Sequence, residues 1–221
     1  MKLLWSLALA GCLMAPRGAG AASGPPGGDP YAMFARSPQG ARLLAIARET
    51  MRAHWGDRHS RADTVAIAWP AAPRGIYISL TDGQGTRACV GNAAPYRGSL
   101  VETVRALAVQ SLQADRRRPP VRREELPGIR IVISFAGPLE ALTDPLQVDP
   151  GRDGLLVSSD GGSVAFLPGE ARTVAWALHE ARRIGVIRGS EENARYFRFS
   201  VIVLAEVTSP SDPVERSDAS R

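Results

Sequence analysis

Ile76-Tyr77-Ile78-Ser79-Leu80, Thr81-Asp82-Gly83-Gln84-Gly85 and Thr86-Arg87-Ala88-Cys89-Val90 follow one another without a break, and their reading decides the fold. Two runs rich in β-branched and aromatic residues flank a turn carrying two glycines. That pattern predicts an antiparallel hairpin with Cys89 on its second strand. Strand alternation puts Arg87, Cys89 and Gly91 on one face and Thr86, Ala88 and Val90 on the other. A guanidinium two residues along the same face lies roughly 7 Å away, near enough to favour a thiolate in a poorly solvated pocket. Gly91, without a side chain, would let a ligand or another backbone approach closely.

The next segment extends this site. Ser99 with Glu102 reads as a capping box, and Val101, Val104, Leu107, Ala108 and Leu112 supply the apolar face of a helix ending near Asp115. The amides and dipole at such a helix start attract anions, and Arg97 stands just before it. Arg87, Arg97 and the Ser99 helix start would thus converge on a carboxylate or phosphate beside Cys89. In the alternative reading Cys89 packs inward, both arginines turn to water and the cap satisfies only its own helix.

Elsewhere the pattern alternates between hairpins and helices. Ser37-Pro38 reads as a cap followed by proline in the first turn, opening a helix with Leu43, Leu44, Ile46, Ala47, Thr50 and Met51 on its stripe. Thr64 to Trp69 reads as a short strand and Ile129 to Phe135 as a half-buried one. Gly154–Val157 and Val164–Leu167 flank a Ser-Ser-Asp-Gly-Gly-Ser turn as another hairpin. Thr173 opens a helix through Ile184 that Gly185 stops, and Tyr196 to Val207 alternates as one long closing strand. Hairpins mixed with helices predict an α+β fold with antiparallel sheets.

The chain has 221 residues, 44% of them hydrophobic, enough for one ordinary domain with flanking segments. Its net charge of +5 is spread along the chain and, with Lys2 as the only lysine, carried by arginine. Lys2 followed by the apolar run Leu3–Gly11 has the plan of a secretory leader. Leu9-Ala10-Gly11-Cys12 resembles a lipobox, with Cys12 as the lipidated residue, and Ala19-Gly20-Ala21 offers an alternative cleavage site. The chain is expected to be exported to the periplasm or cell envelope as a lipoprotein, tied to a membrane through acyl chains on Cys12. Residues 1–30 read as leader and Ala/Gly/Pro tether, 31–207 as the folded part and 208–221 as a disordered tail. Either processing route removes Cys12 as a disulfide partner, so Cys89 stays a free thiol, kept either by burial or by use of its reactivity.

His54, His59 and His179 are the only histidines, and no cluster has metal-ligand spacing, so neither a metal nor a cofactor is expected. His179 is the named candidate partner for Cys89 in acyl transfer. The run Arg116 to Arg123 is basic, but it lacks nearby aromatics for stacking and is broken by Pro119-Pro120, so nucleic acid is not an expected partner.

Arg87-Ala88-Cys89-Val90-Gly91 resembles the core of the L-R-G-C-I-G signature of the AMMECR-one domain family. The order of flanking motifs is similar too: Gly75-Ile76-Tyr77-Ile78-Ser79-Leu80 before it, Glu124-Glu125-Leu126, Pro138-Leu139-Glu140, Gly154-Leu155-Leu156-Val157, Phe166-Leu167-Pro168 and Arg183-Ile184-Gly185-Val186 after it. The likeness runs from about Pro38 to Val207. It implies two unequal lobes, each with an antiparallel sheet flanked by helices, and a cleft near the cysteine motif; the leader would make this an exported, bacterial member. Arg87, Cys89, Gly91, Asp115 and Arg117 match the family's pattern. Thr86, Ala88, Arg118 and Gly169-Glu170 depart from it. No particular reaction is implied. The expected function is binding of a small anionic ligand or an envelope protein at the Cys89 cleft, through Arg87, Cys89, Gly91, Arg97 and Ser99. The alternatives are an enzyme using Cys89 as catalytic thiolate or redox group, and a structural module that binds a partner.

Overall fold

Strands β1 (Gly75–Asp82) and β2 (Gly85–Asn92) form the expected hairpin, with Gly85 at φ 127° closing the turn. They belong to a computed structural model that describes residues 29–56, 70, 72–190 and 193–207. The leader with Cys12, the cleavage site at Ala21, His59, the strand at Thr64–Trp69 and the tail from Thr208 lie outside the described residues.

Alternation decides which side chains of the hairpin go where. Ile76, Ile78, Leu80 and Ala88 turn to one face and enter the larger core. Helices α1 (Pro30–Ala35), α2 (Pro38–His54) and α3 (Leu100–Gln113) cover that face, burying Tyr31, Phe34, Leu43, Ile46, Leu100 and Val104. Each fully buried Leu or Ile side chain contributes about 1.5–3 kcal/mol. Strand β3 (Arg130–Ala136) adds Ile131, Ile133 and Phe135 to the same core. Ser37 and Ser99 cap α2 and α3 by accepting from the amides of Gly40 and Glu102. Helix α1 begins at Pro30, inside the stretch expected to be tether. Asp29 caps it with Pro30 in the first turn, and Tyr31 and Phe34 anchor it against Phe135.

The chain then builds a second lobe before returning. Strands β4 (Glu140–Leu142), β5 (Gly154–Ser159), β6 (Gly162–Phe166) and β7 (Arg195–Phe199) form a sheet in the order β4-β7-β5-β6. Helix α4 (Val174–Arg183), capped by Thr173 and followed by Gly185 at φ 74°, packs Val174, Ala177, Leu178 and Ala181 with β5 and β6 residues in that lobe's core. Strand β8 (Val201–Ala205) completes the first sheet in the order β2-β1-β3-β8, and every pairing in both sheets is antiparallel. The protein is therefore α+β. The single closing strand expected from Tyr196 to Val207 is two strands, parted at Ser200, whose carbonyl accepts from Gly137 N–H at 2.7 Å. Among the described residues no helix is long and apolar enough to cross a membrane.

Candidate functional site

The opposite face of the hairpin meets the second lobe. Tyr77 and Cys89 pack with Ala136, Leu167 and Phe199 in an apolar seam between the two sheets, and Cys89 is 9% exposed. Ser79, its cross-strand partner, donates its hydroxyl to Cys89 Sγ at 3.2 Å. Because β2 is an edge strand, the amide of Cys89 has no strand to pair with; it donates instead to Asp115 Oδ2 at 2.8 Å. Burial pushes the Cys89 thiol well up, and the negative charge of Glu170 pushes it further, outweighing the Ser79 hydroxyl and the Arg117 charge. Burial, with the same two neighbours Cys89 and Glu170, also raises Tyr77.

Asp115 belongs to the turn that ends α3. It accepts from Arg117 N–H at 2.8 Å, and the guanidinium returns to the same carboxylate, Nε to Oδ1 at 3.1 Å and Nη2 to Oδ2 at 3.2 Å. Nη1 reaches Glu170 Oε2 at 3.4 Å, an oxygen that also accepts from Leu167 N–H at 3.1 Å. Glu170 Oε1 is buried and has no hydrogen-bond partner. The three side chains are between 5% and 11% exposed. Burial pushes the Asp115 carboxyl up, but the hydrogen bonds and charge of Arg117 and the Cys89 amide bring it below its ordinary value. Burial likewise opposes the charge on Arg117, and Glu170 and Asp115 more than compensate.

Two crevices flank this cluster and share Asp115 and Arg117. One, of about 260 Å³, is lined by Tyr77, Cys89, Gly91, Gln110, Arg116 and β6 residues among others. The other, of about 240 Å³, is lined by Thr86, Asp115, Arg117, Arg118, Glu170, Trp176, Glu180 and Arg183. Arg183 donates to both oxygens of Glu180, at 2.7 and 2.5 Å, holding that carboxyl below its ordinary value. A larger groove of about 1,110 Å³ lies away from Cys89, between α2 and the ends of β3 and β8. There Arg48 binds Glu206 and the carbonyls of Leu126 and Ile129.

The residues expected at the site do not converge. Register slips between Leu80 and Thr81, leaving Arg87 as the extra residue of the edge strand, and such a bulge re-aims its side chain. The Arg87 guanidinium is spent on both Glu125 oxygens and the carbonyls of Pro119 and Pro120, so it is not the cation beside Cys89. Glu125 is held at about 2 chiefly by that pairing. Arg97 is exposed and Ser99 only caps its helix; neither lines either crevice. Helix α3 contributes its C-terminal end, through Asp115 and Arg117, rather than the N-terminal end. Gly91 does line a crevice, and a Cβ there would collide with the Ile76 carbonyl and the Tyr77 ring, so its close neighbour is β1. His179 is exposed on α4 and lines neither crevice. Among the described residues no group of three or more His, Cys, Asp or Glu is arranged to hold a metal ion. Glu170, Trp176, Glu180 and Arg183 were missed as site residues. The only signal for Glu170 was that Gly169-Glu170 departs from the family's pattern.

A two-lobed α+β protein with a charged crevice between its sheets is the class that these features define. The AMMECR1 family model matches residues 44–204, and the chain belongs to that family. It is 30% identical over 199 residues to a protein of Aeropyrum pernix, covering 82% of this chain and 84% of that protein. It is 28% identical to a protein of Thermotoga maritima over 58% of this chain and 75% of the other. The crystal structure of an uncharacterized protein from Pyrococcus horikoshii shares the fold, with TM-score 0.57, 22% identity, and coverage of 76% of this chain and 91% of that one. The relatives are mostly archaeal and do not bear out the exported, bacterial part of the sequence reading.

Proposed function

We propose that the 240 Å³ crevice beside the Cys89 strand recognises a small ligand carrying an anionic group, without covalent chemistry at the sulfur. The observation that carries this reading is that Arg118 and Arg183 line the mouth of this crevice above the buried Arg117. Guanidinium groups suit carboxylate or phosphate because their forked donors match two acceptor oxygens at once. A catalytic or redox thiolate is the weaker reading, since burial and Glu170 both favour the neutral thiol and a nucleophilic cysteine needs the opposite environment. A thermal-shift screen of acetate, succinate and inorganic phosphate tests the binding reading: wild type should be stabilised, and Arg118→Ala and Arg183→Ala should each lose that stabilisation. Wild type indifferent to every anion counts against it.

The leader supports a further part of the reading, that the chain is exported and lipidated at Cys12, which would put the ligand or an envelope protein partner outside the cytoplasm. Mass spectrometry of the mature terminus tests this: an acylated Cys12 supports it, a start at Ala22 leaves export alone, and an intact Met1 overturns both.

A further inference from the structure

We infer that the ligand of the crevice is a zwitterion of the amino-acid class, its ammonium group taken by Glu170 and its anionic group by Arg118 and Arg183; this rests on the anion-binding reading above. The floor of the crevice holds two carboxylates, Asp115 and Glu170, and one guanidinium, Arg117, all nearly buried, so one negative charge is in excess. The donors of Arg117 are committed, Nε and Nη2 to Asp115 and Nη1 to Glu170. Both Asp115 oxygens and Glu170 Oε2 accept hydrogen bonds, whereas Glu170 Oε1 is buried with none. A buried acceptor left unpaired costs about 1–3 kcal/mol, and more when charged. The hydrogen bonds that Glu170 accepts, from the Leu167 amide and from Arg117, use one oxygen only, and a glutamine could accept both; its other polar neighbour is the Cys89 thiol, a weak donor. An oxygen with no donor stronger than a thiol, and the excess charge, are what the fold leaves over, and an ammonium group supplies both a strong donor and the compensating charge.

The rim has the opposite sign. Arg118 is exposed and makes no side-chain hydrogen bond among the described residues, while Arg183 and Glu180 offset each other. A ligand of either charge alone meets one repulsive layer; a ligand with the positive end inward and the negative end outward meets none. The crevice is smaller than the roughly 300–1,000 Å³ of pockets that take drug-sized molecules, and the half-exposed Trp176 ring on its wall offers apolar surface for a side chain. Oε1 is covered by its neighbours, so docking of the ammonium entails a side-chain displacement.

Isothermal titration of the mature protein with the free L-amino acids, and with the deaminated acid and decarboxylated amine of whichever binds, tests the inference. We expect removal of either charged group to weaken binding at least tenfold, and Glu170→Gln to bring the amino acid down to the affinity of its deaminated acid without weakening that acid. A deaminated acid that binds as tightly as its amino acid overturns the zwitterion and leaves the anion site standing. Silence from amino acids, small carboxylates and phosphate alike overturns both. Should Glu170→Gln fail to fold, the matched ligands on wild type decide alone.

Discussion

Arg87 and Arg117 are both buried at least five-sixths, both paired with carboxylates, and both part of the matched family pattern, yet they sit in opposite kinds of place. Arg87 spends its donors on one carboxylate and two carbonyls, and the Glu125 it serves has its oxygens partnered as well. Arg117 serves two carboxylates and leaves one oxygen of the second without a donor. The first arrangement is closed and clamps the turn of residues 119–125 to the edge strand. The second has an unmatched charge beside open volume. What separates a structural arginine from one in a recognition site is the balance of the groups around it: both are the same residue type with largely covered side chains, although Arg117 lies deeper.

The sharpest way to break this comparison is Arg117→Ala, which strands Asp115 and Glu170 without their cation. Loss of one partner of a buried pair costs about 3–5 kcal/mol, so urea unfolding should show the largest drop of any substitution considered; a loss below 1 kcal/mol would mean the cluster is solvated. Gly91→Ala comes next, because its Cβ meets the Ile76 carbonyl and the Tyr77 ring. Overpacking of that kind costs about 1–3 kcal/mol, read from the same unfolding curves, and it should also distort the Cys89 side of the crevice.

Arg87→Ala should cost about 1–2 kcal/mol near neutral pH through lost charge-assisted hydrogen bonds. It carries a pH signature as well. Glu125 ordinarily titrates at 4.5 and is held at about 2 in the fold, so the stability it contributes is present above 4.5 and lost as pH falls from 4.5 to 2. Wild type and Arg87→Ala should therefore differ fully at pH 6 and converge towards pH 2; a difference that does not shrink would assign the effect to packing. Smallest is Cys89→Ala, which removes one small buried group at about 1 kcal/mol. In wild type the Cys89 thiol should resist iodoacetamide at pH 7 until denaturant is added, and rapid alkylation of the native protein would revive the thiolate reading.

Local pattern made much of the fold legible. The Gly83-Gln84-Gly85 turn, the caps at Ser37, Ser99 and Thr173, and the stop at Gly185 all act within a few residues of themselves, and the structure has each of them. The break at Ser200 was invisible because alternation continues across it, and a period of two does not say which sheet a strand joins. The site was less legible for a related reason. The face of Arg87 was read from regular alternation that a bulge interrupts, and the convergence at Ser99 used the near end of α3 when the far end lies at Cys89. Glu170 reaches the cluster from the other lobe, and no spacing along the chain could announce that.

Residues 137–200, the whole of the second lobe, lie between strands β3 and β8, which pair directly from Ala136 with Val201. During synthesis β8 is made after the whole of the smaller lobe, so the larger sheet remains without that edge until the smaller lobe has already emerged. Because contacts between distant parts of a chain slow the search for the native state, maturation of the first lobe is tied to prompt collapse of the second. A lesion in the small lobe is thereby felt as delayed completion of the large one.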